Sequence, residues 1–176
     1  MLRKTLSATI LLVVLMGLPA ISSADLVTNG GFETGDFTGW TLSGNTQYMY
    51  ITATPIFVHS GNYAAVLGEE YFLGYLSQSL STTVGATYEL SFWLQNSAPG
   101  QNEFSVSVGG TSLVDLLNQD AFPYTEYTYD FVASSTSTIL QFASMQNPAY
   151  WELDDISVIE TAGPPLPNQP PFSSTD

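Results

Sequence analysis

Tyr88-Glu89-Leu90-Ser91-Phe92-Trp93-Leu94-Gln95 alternates large apolar and polar side chains for most of its length. A strand turns successive side chains to opposite faces. Tyr88, Leu90, Phe92 and Leu94 therefore share one face, and a half-buried β-strand is predicted. The pattern recurs outward from this stretch. Phe104, Val106 and Val108 alternate with Glu103, Ser105 and Ser107. Tyr127, Tyr129 and Phe131 alternate with Thr128 and Asp130. Further strands are predicted at Ala64–Leu67, Leu76–Leu80, Ser137–Ala143 and Trp151–Ile159. Gly85-Ala86, Pro99-Gly100-Gln101-Asn102 and Gly109-Gly110 supply turns between them. Only the short Leu113–Asn118 stretch reads as helical. Many short strands at close spacing predict an all-β fold, an antiparallel sandwich.

Charge is divided sharply along the chain. The only two cations, Arg3 and Lys4, precede residue 25, and all 16 carboxylates lie from Asp25 onward. The chain after residue 24 therefore carries a formal charge of −16. Such a chain repels phosphate groups, so nucleic acid and an anionic membrane are excluded as partners. A hard cation or a neutral ligand is compatible with it, and self-repulsion favours a monomer.

Arg3 and Lys4, the apolar run Ile10–Met16 and small residues at Ser22 and Ala24 read as an export signal over 1–24. There are no cysteines, so an exported product must rely on its core or on a metal. Residues 25–160 are expected to form one domain. The Pro-rich stretch within 161–176 cannot build a core and is expected to be an extended, disordered tail.

Several segments carry a family likeness. They are the opening Asn29-Gly30-Gly31-Phe32-Glu33, His59-Ser60-Gly61-Asn62-Tyr63, Leu76-Ser77-Gln78-Ser79-Leu80, and the closing Trp151-Glu152-Leu153-Asp154-Asp155-Ile156. In this order they resemble the galactose-binding-like jelly rolls of carbohydrate-binding modules. Within that group the chain looks most like the domain of exported bacterial PEP-CTERM proteins. The resemblance implies a jelly-roll β-sandwich, secreted or held at the bacterial cell surface. The tail departs from the family's sorting motif, apolar helix and basic cluster, which implies release rather than retention.

In such relatives a structural Ca2+ ties the first strand to the last. The resemblance maps its ligands onto Glu33 and onto Asp154 or Asp155. Carboxylates and loop carbonyls are the oxygen donors that Ca2+ prefers. By strict alternation Asp154 shares a face with Ile156 and Val158, which would turn it inward, while Asp155 faces the other way.

Sugars bind to aromatic planes and to amide or carboxylate side chains. Trp93 falls on the polar face of its strand, beside Gln95. With Tyr124 and Gln141 it forms the candidate carbohydrate cleft, unless a loop such as the one at 69–75 covers it. The expected partner is a neutral or cation-bridged polysaccharide. A matrix domain without a soluble ligand is the alternative. His59 is the only histidine, no nucleophile elbow or cysteine is present, and catalysis is not expected.

Overall fold

The computed structural model describes residues 23–68 and 70–165. Nearly all of the expected leader, most of the expected tail and Glu69 lie outside the described residues. The strands are β1 (Thr41–Gly44), β2 (Met49–Thr52), β3 (Ala64–Leu67), β4 (Gly74–Ser81), β5 (Thr87–Asn96), β6 (Gln101–Val108), β7 (Thr111–Leu117), β8 (Phe122–Val132), β9 (Ser137–Asn147) and β10 (Trp151–Ala162). A single 3-10 turn, Pro55–Phe57, follows β2. One sheet has the order β1-β4-β9-β6-β7 and the other β2-β3-β10-β5-β8, with every pair antiparallel. The expected all-β jelly-roll sandwich is what forms.

The inner faces meet in one aromatic core. Phe92, Phe104, Phe142 and Trp151 are fully buried and touch ring to ring. Burying each such ring stabilises the fold by about 2–3 kcal/mol, a substantial share in a protein with no disulfide. Leu113–Asn118 is not helical. Leu113–Leu117 belongs to edge strand β7, where Val114 lies opposite Val106 and Leu116 opposite Phe104. Exposed Leu117 interrupts the alternation that would have marked the strand in the sequence.

The two ends of the domain meet. The opening segment makes no long ladder. Leu26 donates to the Val158 carbonyl at 2.9 Å, and Ile156 donates to the Gly30 carbonyl at 3.1 Å. A Cβ on Gly30 would sit 1.9 Å from that Ile156 carbonyl oxygen, so only glycine allows this approach. Gln78 clamps both the N–H and the C=O of Thr28.

Candidate functional site

β10 sets the geometry of the site, and its alternation is broken once. Asp154 lies opposite Trp93 and Ser157 opposite Ser91, so Asp155 and Ile156 together face Phe92. This is a β-bulge, with Asp155 at φ 49°. The extra residue lets both Leu153 and Ile156 enter the core. It also corrects the expected orientation of Asp154, which points to the outer face of the sheet and is buried there under a loop.

That loop is the segment 53–63. Asp154 Oδ2 accepts the N–H groups of His59 at 3.0 Å and Ser60 at 3.2 Å, and its Oδ1 accepts the N–H of Asp155 at 2.8 Å. Asp155 holds His59 Nδ1 at 2.7 Å and the Ser60 hydroxyl at 2.8 Å. Glu33 completes the corner. Its Oε1 accepts the N–H groups of Asn62 and Tyr63 at 2.8 and 3.1 Å, and its Oε2 accepts Asn62 Nδ2 at 3.0 Å. The bonds from Asn62 lower the pKa of Glu33 below the ordinary glutamate value. Gly61, at φ +67°, allows the carboxylate in: a Cβ there would lie 2.2 Å from Glu33 Oε1.

Glu33, Asp154 and Asp155 lie around Gly31. A Cβ built on Gly31 would lie 3.8 Å from Glu33 Cγ, 3.4 Å from Asp155 Oδ1 and 3.9 Å from Asp154 Oδ1. Their oxygens face N–H and O–H donors. Among the described residues no group of three or more His, Cys, Asp or Glu is placed to hold a metal. The donor set present does not fit a calcium ion.

Trp93 is half-buried on the outer face, with Gln95 two residues along the same strand. The His59 ring stacks on Trp93 with centroids 3.8 Å apart and planes 15° from parallel. Trp93 is therefore covered, and by the 53–63 segment rather than by the 69–75 loop. Tyr124 lies beside His59, with ring centroids 5.2 Å apart, and its hydroxyl donates to the Phe57 carbonyl at 2.8 Å. Gln141 does not belong to this group. It stands on β9 in the opposite sheet, between Ser77 and Ser107. Alternation assigns a residue to a face but not to a sheet.

Two residues of the site, His59 and Glu152, are not among the residues that the sequence points to as ligands. Glu152 lies between Val66 and Gln95 on the outer face. It is fully buried, with Oε1 bonded to the Ser97 hydroxyl at 2.6 Å and Oε2 without a hydrogen-bond partner. Burial raises its pKa to about 7 and that of Asp154 to about 6. The alternation that turns Asp154 inward puts Glu152 on the same face, and a carboxylate on a face shared with Ile156 and Val158 was the available signal.

Around the loop, Ala53, Pro55, Val58, His59, Ser60, Asn62 and Tyr63 line an open depression of about 690 Å³. Ser60 donates to Asp155 rather than to His59, so serine, histidine and aspartate form no proton relay. The depression offers apolar surface, an aromatic wall, a hydroxyl and an amide.

Residues 25–159 match the family described as protein of unknown function (DUF642). The chain belongs to the DUF642 family. No curated protein matches it. Solved structures share the fold of this DUF642 domain. TmCBM61 in complex with β-1,4-galactotriose superposes with a TM-score of 0.64 and 22% identity, over 78% of this chain and 99% of that one. The CBM22-1 xylan-binding domain of Paenibacillus barcinonensis Xyn10C gives 0.55 and 20%, over 82% and 99%. The K3 cleaved adhesin domain of Lys-gingipain from Porphyromonas gingivalis gives 0.59 and 16%, over 78% and 98%.

Proposed function

We propose that this DUF642 domain is an exported, non-catalytic carbohydrate-binding module that takes neutral polysaccharide in the depression beside His59. One observation carries the reading. The depression joins ring faces and apolar surface to a hydroxyl and an amide whose positions are locked by carboxylates behind them. Ser60 and the Asn62 carbonyl accept from sugar hydroxyls, while Val58, Pro55 and the Tyr63 ring cover C–H surface. Such a site is preorganised, which lowers the ordering cost of binding. The fold shared with TmCBM61 and the CBM22-1 domain supports the same reading. Covering about 100 Å² of apolar surface contributes roughly 2.5 kcal/mol, so affinity lies in the micromolar to millimolar range.

Export rests on the leader read over 1–24, and a bacterial cell-surface or extracellular setting rests on the PEP-CTERM-like resemblance. Calcium forms no part of the proposal.

The test is affinity electrophoresis in gels containing neutral galactan, xylan or glucan. Wild type should be retarded by at least one of them. Ala53→Trp fills the depression from an exposed position outside the hydrogen-bond network and should abolish retardation with Tm unchanged. Undiminished retardation of the variant would remove the site.

A further inference from the structure

The outer face of the same sheet continues past the depression. Tyr50, Val66, Glu152 and Gln95 form one cross-strand row, immediately beside the pairs Thr52–Ala64 and Asp154–Trp93. Neighbouring rows on one face lie about 7 Å apart. At the far side of the Tyr50 row the surface becomes aromatic. Tyr50 is 41% exposed and meets Tyr150 edge to face at 5.9 Å. Tyr48 is 36% exposed, and its hydroxyl accepts Gln47 Nε2. Two loops are tied together here: Asn45 donates from its side chain to the Glu70 carbonyl and from its backbone to the Leu73 carbonyl. They bring Tyr71 and Phe72, 72% and 75% exposed, to the same end. Tyr71 has φ 68°, a conformation that costs a bulky residue energy.

We propose that Tyr48, Tyr50, Tyr71, Phe72 and Tyr150 form a second sugar platform, which makes the ligand an extended neutral oligosaccharide rather than a single sugar. The proposal rests on the reading of the depression as a sugar site and extends it along the sheet. Exposed rings clustered at one end of a small domain mark a binding surface. Their rim of phenol hydroxyls and of Asn45 and Gln47 amides suits hydroxyl groups. The acidic chain contributes no Lys or Arg after residue 4 to attract an anion. A bound chain would run from the His59 depression toward the Tyr50–Tyr150 pair.

Isothermal titration with neutral hexasaccharides of xylan, glucan and galactan, and with their monosaccharides, tests this on the full chain. Tyr71→Ala/Phe72→Ala and Tyr50→Ala should each weaken hexasaccharide binding about tenfold. Both variants should leave the monosaccharide binding that Ala53→Trp abolishes unchanged, and Tyr71→Ala/Phe72→Ala should leave Tm unchanged. Equal loss for both ligand lengths, or no loss, overturns the second platform, while sensitivity to Ala53→Trp keeps the first site. Loss with the tyrosine variants alone retains this platform and sinks the depression. If wild type binds no glycan but binds a cationic peptide in a salt-sensitive manner, both proposals fall.

Discussion

Glu33 and Glu152 lie on either side of Asp154 in the same acidic region and have opposite surroundings. Glu33 is exposed, and three N–H groups from the 53–63 loop converge on it. Glu152 is buried, with the Ser97 hydroxyl on Oε1, the Gln95 amide beside it and Oε2 without a close hydrogen-bond partner. The donors lower the pKa of Glu33, whereas burial raises that of Glu152 to about 7. Asp154 combines both environments, three N–H donors and full burial, and its pKa is still raised to about 6. At Asp154, desolvation together with the neighbouring charge of Asp155 outweighs the three donors. The corner carboxylates act as anchors for the loop, while Glu152 is a polar group carried at a cost.

Asp154→Ala should have the largest effect on this contrast, because it removes the shared anchor. It leaves the N–H groups of His59, Ser60 and Asp155 without an acceptor. The expected loss is about 3 kcal/mol, a fall in Tm of roughly 10 °C. Trp93 fluorescence should also change as His59 lifts from the indole. A Tm shift under about 2 °C would show that the loop does not depend on this carboxylate.

Glu152 gives an effect of opposite sign. Its pKa in the fold lies above the ordinary value, so the native state binds the extra proton. Its contribution is fully present below about pH 4.5 and is lost as pH rises through about 7. Asp154 adds the same trend between about pH 4 and 6. Wild-type stability should therefore fall by about 2–3 kcal/mol between pH 5 and pH 8. Glu152→Gln, which is neutral at every pH, should flatten that slope and stabilise the protein at pH 8. Urea unfolding of both proteins at the two pH values is the measurement. A variant less stable than wild type at pH 8 would place Glu152 among the anchors.

The strands were legible because each inner face keeps a period of two over several residues, as in Tyr88–Leu94. The strands β1 and β2 hold four residues of mixed polarity each and pass unnoticed in the sequence, whereas β3, equally short, is legible as an unbroken apolar run. The meeting of Glu33 with Asp154 and Asp155 was visible through the family likeness. The direction of Asp154 was not, because one bulge residue reverses parity without a sequence mark. The His59–Trp93 stack joins residues on separate elements, and nothing local to either announces it. Gln141 failed for a related reason: its alternation is right, but strand order places it on the other sheet.

Glu33→Gln should have a smaller effect than either change above. The pKa of Glu33 is lowered, so its contribution is present above about pH 4.5 and is lost as pH falls through the depressed value. The amide keeps the shape but replaces one acceptor oxygen by an NH₂ that faces N–H donors. Tm should drop modestly at pH 7, and the difference from wild type should shrink toward pH 3. Equal Tm values at pH 7 would mean that water replaces the carboxylate without loss.

Chelation should have the smallest effect of all. A calcium site needs six to eight oxygens with lone pairs turned to one point. Here Glu33 Oε1 already accepts two N–H groups and Oε2 one, while Asp154 Oδ2 accepts two and Oδ1 one. Asp155 directs one oxygen at His59 and the other at Ser60. The loop that would have supplied carbonyls supplies amide hydrogens, so a cation entering the corner must first turn those peptides over. EDTA should leave Tm unchanged, and added Ca2+ should not raise it. A fall of several degrees in EDTA, reversed by Ca2+ and absent in Glu33→Gln, would mean that in solution the loop presents its carbonyls instead and that the carboxylates at this corner hold an ion.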